Sequence, residues 1–124
     1  MHTTPFLVDC LLNDSVRVNA PVDTGCFCFS VFDANLVRKN NLTTKKIKPR
    51  TLNLASGEAT QTIKEVAYAK VNIDGQSYII CGYVVPALAY PLILSKPWME
   101  QNNITYIAEK HCLIVESCDG LSAV

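Results

Sequence analysis

An all-β domain is the fold class this sequence predicts, and three observations carry it. Valine, isoleucine, leucine and tyrosine recur in short runs between Gly, Pro, Asn and Asp, the composition of strands and their turns. The pair Asp74-Gly75 stands between two such runs, where a two-residue type I′ hairpin turn needs residues that accept positive φ. Helix signals are confined to two short segments, one after Ser30 and one after Ser95. The 124 residues, 49% of them apolar, suffice for one domain with a buried core, residues 1–124, but not for two.

Taken in order, Phe6 to Leu12 reads as a strand, Asn13-Asp14 as a turn, and Ser15 to Val22 as a returning strand that ends at Asp23. Ser30 and Asp33 have the spacing of an N-cap pair, which predicts a short helix with Phe32 and Leu36 on one face. Arg38 and Lys39 suit its last turn and Asn40-Asn41 its end. Lys45, Lys46, Lys48 and Arg50 then form a basic connector. Leu52 to Leu54 and Ala59 to Ile63 predict a hairpin with Ser56-Gly57-Glu58 at its tip, and Val66 to Ile73 and Gln76 to Val85 a second one around Asp74-Gly75. Pro86 and Pro91 bracket a loop. Leu92-Ile93-Leu94 is a strand, and Ser95 caps a short helix with Pro97 in its first turn, Trp98 in the core and Asn102-Asn103 at its end. Ile104 to Ile107 and Cys112 to Val115 make a last strand pair around Glu109-Lys110.

Charge and composition narrow the functions. The formal net charge is zero, and the basic connector carries no interleaved aromatic residues, so it reads as a solvated segment and not as a nucleic-acid surface. No apolar run approaches a membrane span, and Met1-His2-Thr3-Thr4 does not resemble a signal peptide, which predicts a soluble, intracellular chain without a membrane partner. In that setting the six cysteines are expected to be reduced, several of them as small core residues, and the sequons Asn41-Leu42-Thr43 and Asn103-Ile104-Thr105 carry no meaning. Cys26, Cys28, His111, Cys112 and Cys118 match no zinc spacing, so no metal site and no cofactor is expected. His111 reads as a solvated loop residue, and Asp9, Asp14, Asp33 and Asp74 as strand, turn or cap residues.

One carboxylate stands apart. Ala20-Pro21-Val22 is a stiff apolar approach that delivers Asp23 into a turn where Thr24 can hydrogen-bond and Gly25 permits close backbone approach. Hydrolysis of a peptide bond by water needs a base for the water's proton and an acid for the carbonyl oxygen, and two carboxylates sharing one proton do both jobs. Asp-Thr-Gly alone also makes an ordinary surface turn; its context decides.

That context resembles the retropepsins, the retroviral-type aspartic proteases, and most closely those of gypsy-type LTR retrotransposons. Val22-Asp23-Thr24-Gly25, followed by Cys26, Ser30 and the segment Leu36 to Leu42, is similar to the family's active-site turn and the helix after it. Leu54-Ala55-Ser56-Gly57-Glu58 resembles the flap hairpin. Tyr83 to Pro86 and Leu92 to Met99 resemble the strand and the apolar-apolar-glycine segment before the C-terminal helix, and Ile104 to Val115 the closing hairpin. The resemblance implies a closed β-barrel-like fold with one or two short helices, active as a homodimer in which Asp23 of each copy meets at a two-fold axis. It implies that Thr24 and Gly25 support the catalytic turn, and that Ala55, Ser56, Gly57 and Glu58 form a flap over an extended peptide or polyprotein substrate. A cytoplasmic location follows, inside virus-like particles for a transposon protein or in the nucleus for a domesticated host protein.

The sequence departs from the family pattern at two places. Cys26 stands where alanine or serine is usual, and Ser95 where the pattern has glycine. If the backbone at 95 must adopt a glycine-only conformation or lie against the active-site turn, serine costs stability or geometry, and the rival reading is an inactive, domesticated domain that dimerises or binds peptides.

Overall fold

The computed structural model describes residues 7–23, 30–52, 61–86, 88, 90–102, 104–107, 112–117 and 120–123. Strand β1 (Leu7–Leu12) turns into β2 (Val16–Asp23) through Asn13 and Asp14. Both hold positive φ, 47° and 60°, which these two residue types tolerate, and Ser15 N–H closes the turn on the Leu12 carbonyl at 2.9 Å. Along β1 the buried residues are Val8, Cys10 and Leu12, the period of two expected of a strand with one face on a core.

The chain continues through β3 (Ser30–Asp33), α1 (Ala34–Lys39), β4 (Thr43–Leu52), β5 (Gln61–Ile73), β6 (Gln76–Val85), β7 (Leu92–Ser95) and α2 (Lys96–Gln101). It closes with β8 (Ile104–Ile107), β9 (Cys112–Ser117) and β10 (Gly120–Ala123), which form a separate antiparallel sheet in the order β10-β9-β8. The turn at Asp74-Gly75, with φ of 51° and 84°, joins β5 to β6 with Ile73 opposite Gln76, the two-residue hairpin the dipeptide predicts.

Six strands close into a barrel in the order β1-β2-β7-β3-β6-β5 and back to β1. The last seam is short, Leu11 opposite Asn72 and Leu12 opposite Val71. The β1–β2 turn reinforces it. Asn13 donates its N–H to the Lys70 carbonyl at 2.8 Å and accepts the Lys70 N–H on its side-chain oxygen at 2.9 Å, while Asp14 pairs with the Lys70 ammonium at 3.0 Å. Closure removes the open edges that an isolated sheet would expose. Strand β4 stays outside the ring on the flank of β5, with a register shift between Lys46 and Arg50.

Two expectations are corrected here. Ser30 to Asp33 does not begin a helix: it is β3, parallel to β6 and antiparallel to β7, and α1 starts only at Ala34. Val31 and Phe32 point to opposite faces of the sheet and each finds an apolar surface there, so burial on both faces outweighs the local capping signal. Asp33 still occupies the N-cap position, without a side-chain bond to the helix. The basic segment, read as a connector, is strand β4, because an edge strand needs only backbone partners on one side and tolerates charged side chains on both faces. Strand β10 was not expected at all.

The two apolar surfaces make two cores. Inside the barrel, Phe32, Val71, Leu92 and Leu94 pack with Trp98 and Met99 of α2 and with Ile104 and Leu113 of the second sheet. On the other face, Val31, Ile63, Val66, Tyr83 and Val85 gather, with Ile47, Leu88 and Ile93 against them. Both faces of β3, β6 and β7 are therefore fixed.

Cys10, fully buried in the barrel, has its thiol pushed up to about 12, first by burial and then by the neighbouring Asp9 charge. An unfolded chain loses this proton above its ordinary value of 9.0 while the folded one keeps it, so stability falls as pH rises from about 9 to about 12. The expected slope approaches 1.4 kcal/mol per pH unit. Urea unfolding at pH 8 and pH 10 checks this, with Cys10→Ala expected to lose that part of the slope.

Candidate active site

Residues 20–23 bring Asp23 to its place by burial. Ala20 and Pro21 are buried and Val22 half-buried, so the approach to the end of β2 is anchored in the barrel. Pro21 lacks an N–H, which is tolerated because it pairs opposite Leu7 at the start of β1. Strand β2 then runs parallel to β7, with Val22 opposite Leu94 and Asp23 opposite Ser95. Positions 23 and 95, far apart in sequence, thus end adjacent strands.

Ser95 is held by a small polar cluster. It is fully buried, as is Ser30. The Ser95 N–H donates to Ser30 Oγ at 3.3 Å, the two hydroxyls lie 3.5 Å apart, and Ser95 Oγ accepts the Trp98 N–H at 3.4 Å as the cap of α2. The backbone at Ser95 is extended, φ −97° and ψ 162°, a conformation open to any residue. A glycine-only conformation is therefore not required at this position, and the serine side chain supplies a cap for α2 and a link to β3. Because these bonds are long, Ser95→Ala is expected to cost about 0.5–1 kcal/mol, the low end for a lost cap. That corresponds to a melting point lower by about 2–5 °C, readable by circular dichroism.

The loop before β7 is tied to β3. Asp33 donates its N–H to the Pro91 carbonyl at 2.9 Å and accepts the Leu88 N–H on its carboxylate at 3.1 Å. The other aspartates expected to be structural are so: Asp9 pairs with Arg17 at 2.9 Å, Asp14 with Lys70, and Asp74 forms a turn. The structure thus gives each of these four a structural position, and Asp23 is the one at the end of β2 beside Ser95. Thr24, Gly25 and Cys26 lie outside the described residues. So do Ala55, Ser56, Gly57 and Glu58, in the connection 53–60 between β4 and β5, whose flanking residues Leu52 and Gln61 are paired as in a hairpin. Of the cysteine and histidine candidates for a metal, Cys26, Cys28, His111 and Cys118 are also outside. No helix among the described residues is long and apolar enough to cross a membrane.

Behind the serine pair is a cleft of about 110 Å³ lined by Ser30, Ser95, Cys81 and Trp98 among others. Sites that enclose a drug-sized ligand measure about 300–1,000 Å³, so this cleft is too small for a peptide. Trp98 packs edge-on against Tyr78, ring centres 5.5 Å apart. Sequence reading missed Ser30 as a supporting residue. Its signal was a lone polar residue next to a two-residue apolar pair, which also fits a helix cap.

No protein-family model matches the chain, and no curated protein matches it. Its structure is similar to the retroviral protease-like domain of Ddi1 from Leishmania major, with a TM-score of 0.70 and 20% identity over 99% of this chain and 96% of that one. It is also similar to the EIAV protease solved in complex with an inhibitor, with a TM-score of 0.63 and 14% identity over 84% of this chain and 93% of that one. The fold is all-β and retropepsin-like, a closed six-stranded barrel with two short helices.

Proposed function

We propose that this retropepsin-like chain is an aspartic endopeptidase that works as a homodimer, with one Asp23 from each copy forming the catalytic pair. The observation that carries the reading is the position of Asp23: the final residue of β2, beside Ser95 of β7, on a barrel of this fold, followed in sequence by Thr-Gly.

In this reading the two carboxyl groups hold one proton between them, because two negative charges a few ångströms apart repel. The ionised one takes a proton from water as the oxygen attacks the scissile carbonyl carbon, and the protonated one gives its proton to the carbonyl oxygen. The resulting gem-diol collapses as the carbon–nitrogen bond breaks: the amine leaves with a proton from the carboxyl that took it from water, while one gem-diol hydroxyl gives its proton to the other carboxylate as the new carboxyl C=O forms. Both groups return to their starting state, so no cofactor is consumed. Thr24 and Gly25 hold the turn, and Ala55, Ser56, Gly57 and Glu58 close over an extended peptide and exclude water. A net charge of zero and an apolar interior favour a substrate read by side-chain shape more than by charge. A retrotransposon-type polyprotein, processed in the cytoplasm or in virus-like particles, fits that description, and neither a membrane nor a nucleic acid enters the reaction.

The extended backbone at Ser95 makes no glycine-only demand, and the hydroxyl's partners among the described residues are Ser30 and the Trp98 N–H, which supports the enzyme over the binding module. The test is digestion of a mixed peptide library by the purified chain, with and without a statine inhibitor, at mildly acidic and neutral pH. Inhibitor-sensitive cleavage supports the proposal; a library left intact under all conditions overturns it.

A further inference from the structure

The basic residues of β4 belong to an edge strand and not to a connector, and this placement changes what they can do. Lys45, Lys46, Lys48 and Arg50 are all exposed, and Lys64 of β5 is exposed on the flank beside them. These five are nearly half of the eleven lysines and arginines in a chain of zero net charge. The ion pairs among the described residues use Arg17, Lys70 and Lys96, and none of the five takes part in one. Glu65, the cross-strand neighbour of Lys46, makes no ion pair with it. Among the described residues β4 pairs only with β5, and no described strand lies along its other backbone edge.

A single lysine is enough to discourage edge-to-edge association. Four cations within residues 45–50, none of them in an ion pair among the described residues, go beyond that and create a local positive field. We infer that the outer edge of β4 is a docking site for an acidic, extended peptide segment, which adds as a strand beside Thr43 to Lys46 while its carboxylates meet the lysine and arginine side chains. Strand addition supplies backbone hydrogen bonds, and the alternate side chains supply the charge complementarity. The regular register from Thr43 to Lys46, before the shift, gives the added strand a straight template. Aromatic residues on which bases would stack are missing from β4, which favours a peptide over a single-stranded nucleic acid.

The test uses the whole 124-residue chain carrying Asp23→Asn, so that any hydrolytic activity does not consume the probe and the outcome is independent of the proposed reaction. Fluorescence anisotropy compares four labelled probes: a Glu-Thr repeat decamer, its Gln-Thr counterpart, a Glu-Thr decamer N-methylated at alternate residues, and a ten-nucleotide oligo-dT. The Glu-Thr peptide is expected to bind at least about tenfold more tightly than the other three and to weaken as salt rises. Lys45→Glu with Lys46→Glu should weaken it about tenfold or more, and Lys48→Glu alone should weaken it measurably. Equal binding of the Gln-Thr peptide removes the role of charge, equal binding of the N-methylated peptide removes strand addition, and tighter binding of oligo-dT makes the edge a nucleic-acid surface. Displacement of the Glu-Thr peptide from the wild-type chain by a statine inhibitor would assign it to the catalytic groove. Any of these four results overturns the inference.

Discussion

Replacement of Asp23 by asparagine is expected to lower kcat/KM for peptide hydrolysis by about a thousandfold or more. Asparagine keeps the size of the side chain but can neither take a proton from water nor hold the shared one, so both halves of the proton relay stop. A thousandfold loss is about 4 kcal/mol of transition-state stabilisation. Melting temperature is the control, since an unchanged melt with lost activity separates chemistry from folding. A second readout tests whether the pair is assembled from two chains. When equal amounts of wild-type and Asp23→Asn chains are unfolded and refolded together, only about one quarter of the dimers carry two aspartates, so activity should fall to about one quarter of the undiluted value. A fall to one half would mean that each chain works alone and would refute the shared dyad. Ser95→Ala makes a useful contrast, because it touches the neighbouring strand end without removing a carboxylate.

The largest effect on stability is expected at Gly82→Ala. Gly82 sits in β6 opposite Ser30 of β3, and a Cβ built on it would lie 2.6 Å from the Ser30 carbonyl oxygen, 2.8 Å from a ring carbon of Phe32 and 2.9 Å from the Ser30 carbonyl carbon. Two of those three atoms are backbone in a central strand, and the third belongs to a fully buried ring, so nothing nearby moves cheaply. The expected cost is about 3 kcal/mol, seen as a melting point lower by about 10 °C and an earlier urea midpoint. Gly75→Ala is the matched control. It also removes a glycine, at φ 84°, but no atom lies within 4 Å of the new Cβ, so it should cost only about 1 kcal/mol of backbone strain. Equal losses for the two would show that close packing of β3 on β6 is not what Gly82 serves. Because β3 carries Ser30 and Ser30 supports Ser95, Gly82→Ala should also disturb the strand end beside Asp23.

Elements built from local chemistry were legible in the sequence. The Asp74-Gly75 hairpin, the Asn13-Asp14 turn, the Ser95 cap with Pro97 behind it and the end of α1 at Asn40-Asn41 each depend on residues within a few positions of one another. Their signals survive because backbone conformation and capping are decided over short distances. Ser30 to Asp33 and Lys45 to Arg50 were misread for the opposite reason. Each carries a local pattern, a cap spacing in one and a run of charge in the other, that pairing with strands far along the chain overrides.

The candidate site divides along the same line. By itself the sequence determined that strands dominate, that a strand stiffened by Pro21 ends at Asp23, and that Ser95 caps a short helix. Those are properties of residue type and near neighbours. Only the tertiary structure decided that Asp23 and Ser95 end adjacent parallel strands, that Ser95 is extended and held by Ser30, and that the basic segment is a strand at the end of the sheet order. Each of these follows from which distant strands pair when the barrel closes, a choice made by burying two apolar faces at once and carried by no single stretch of the chain.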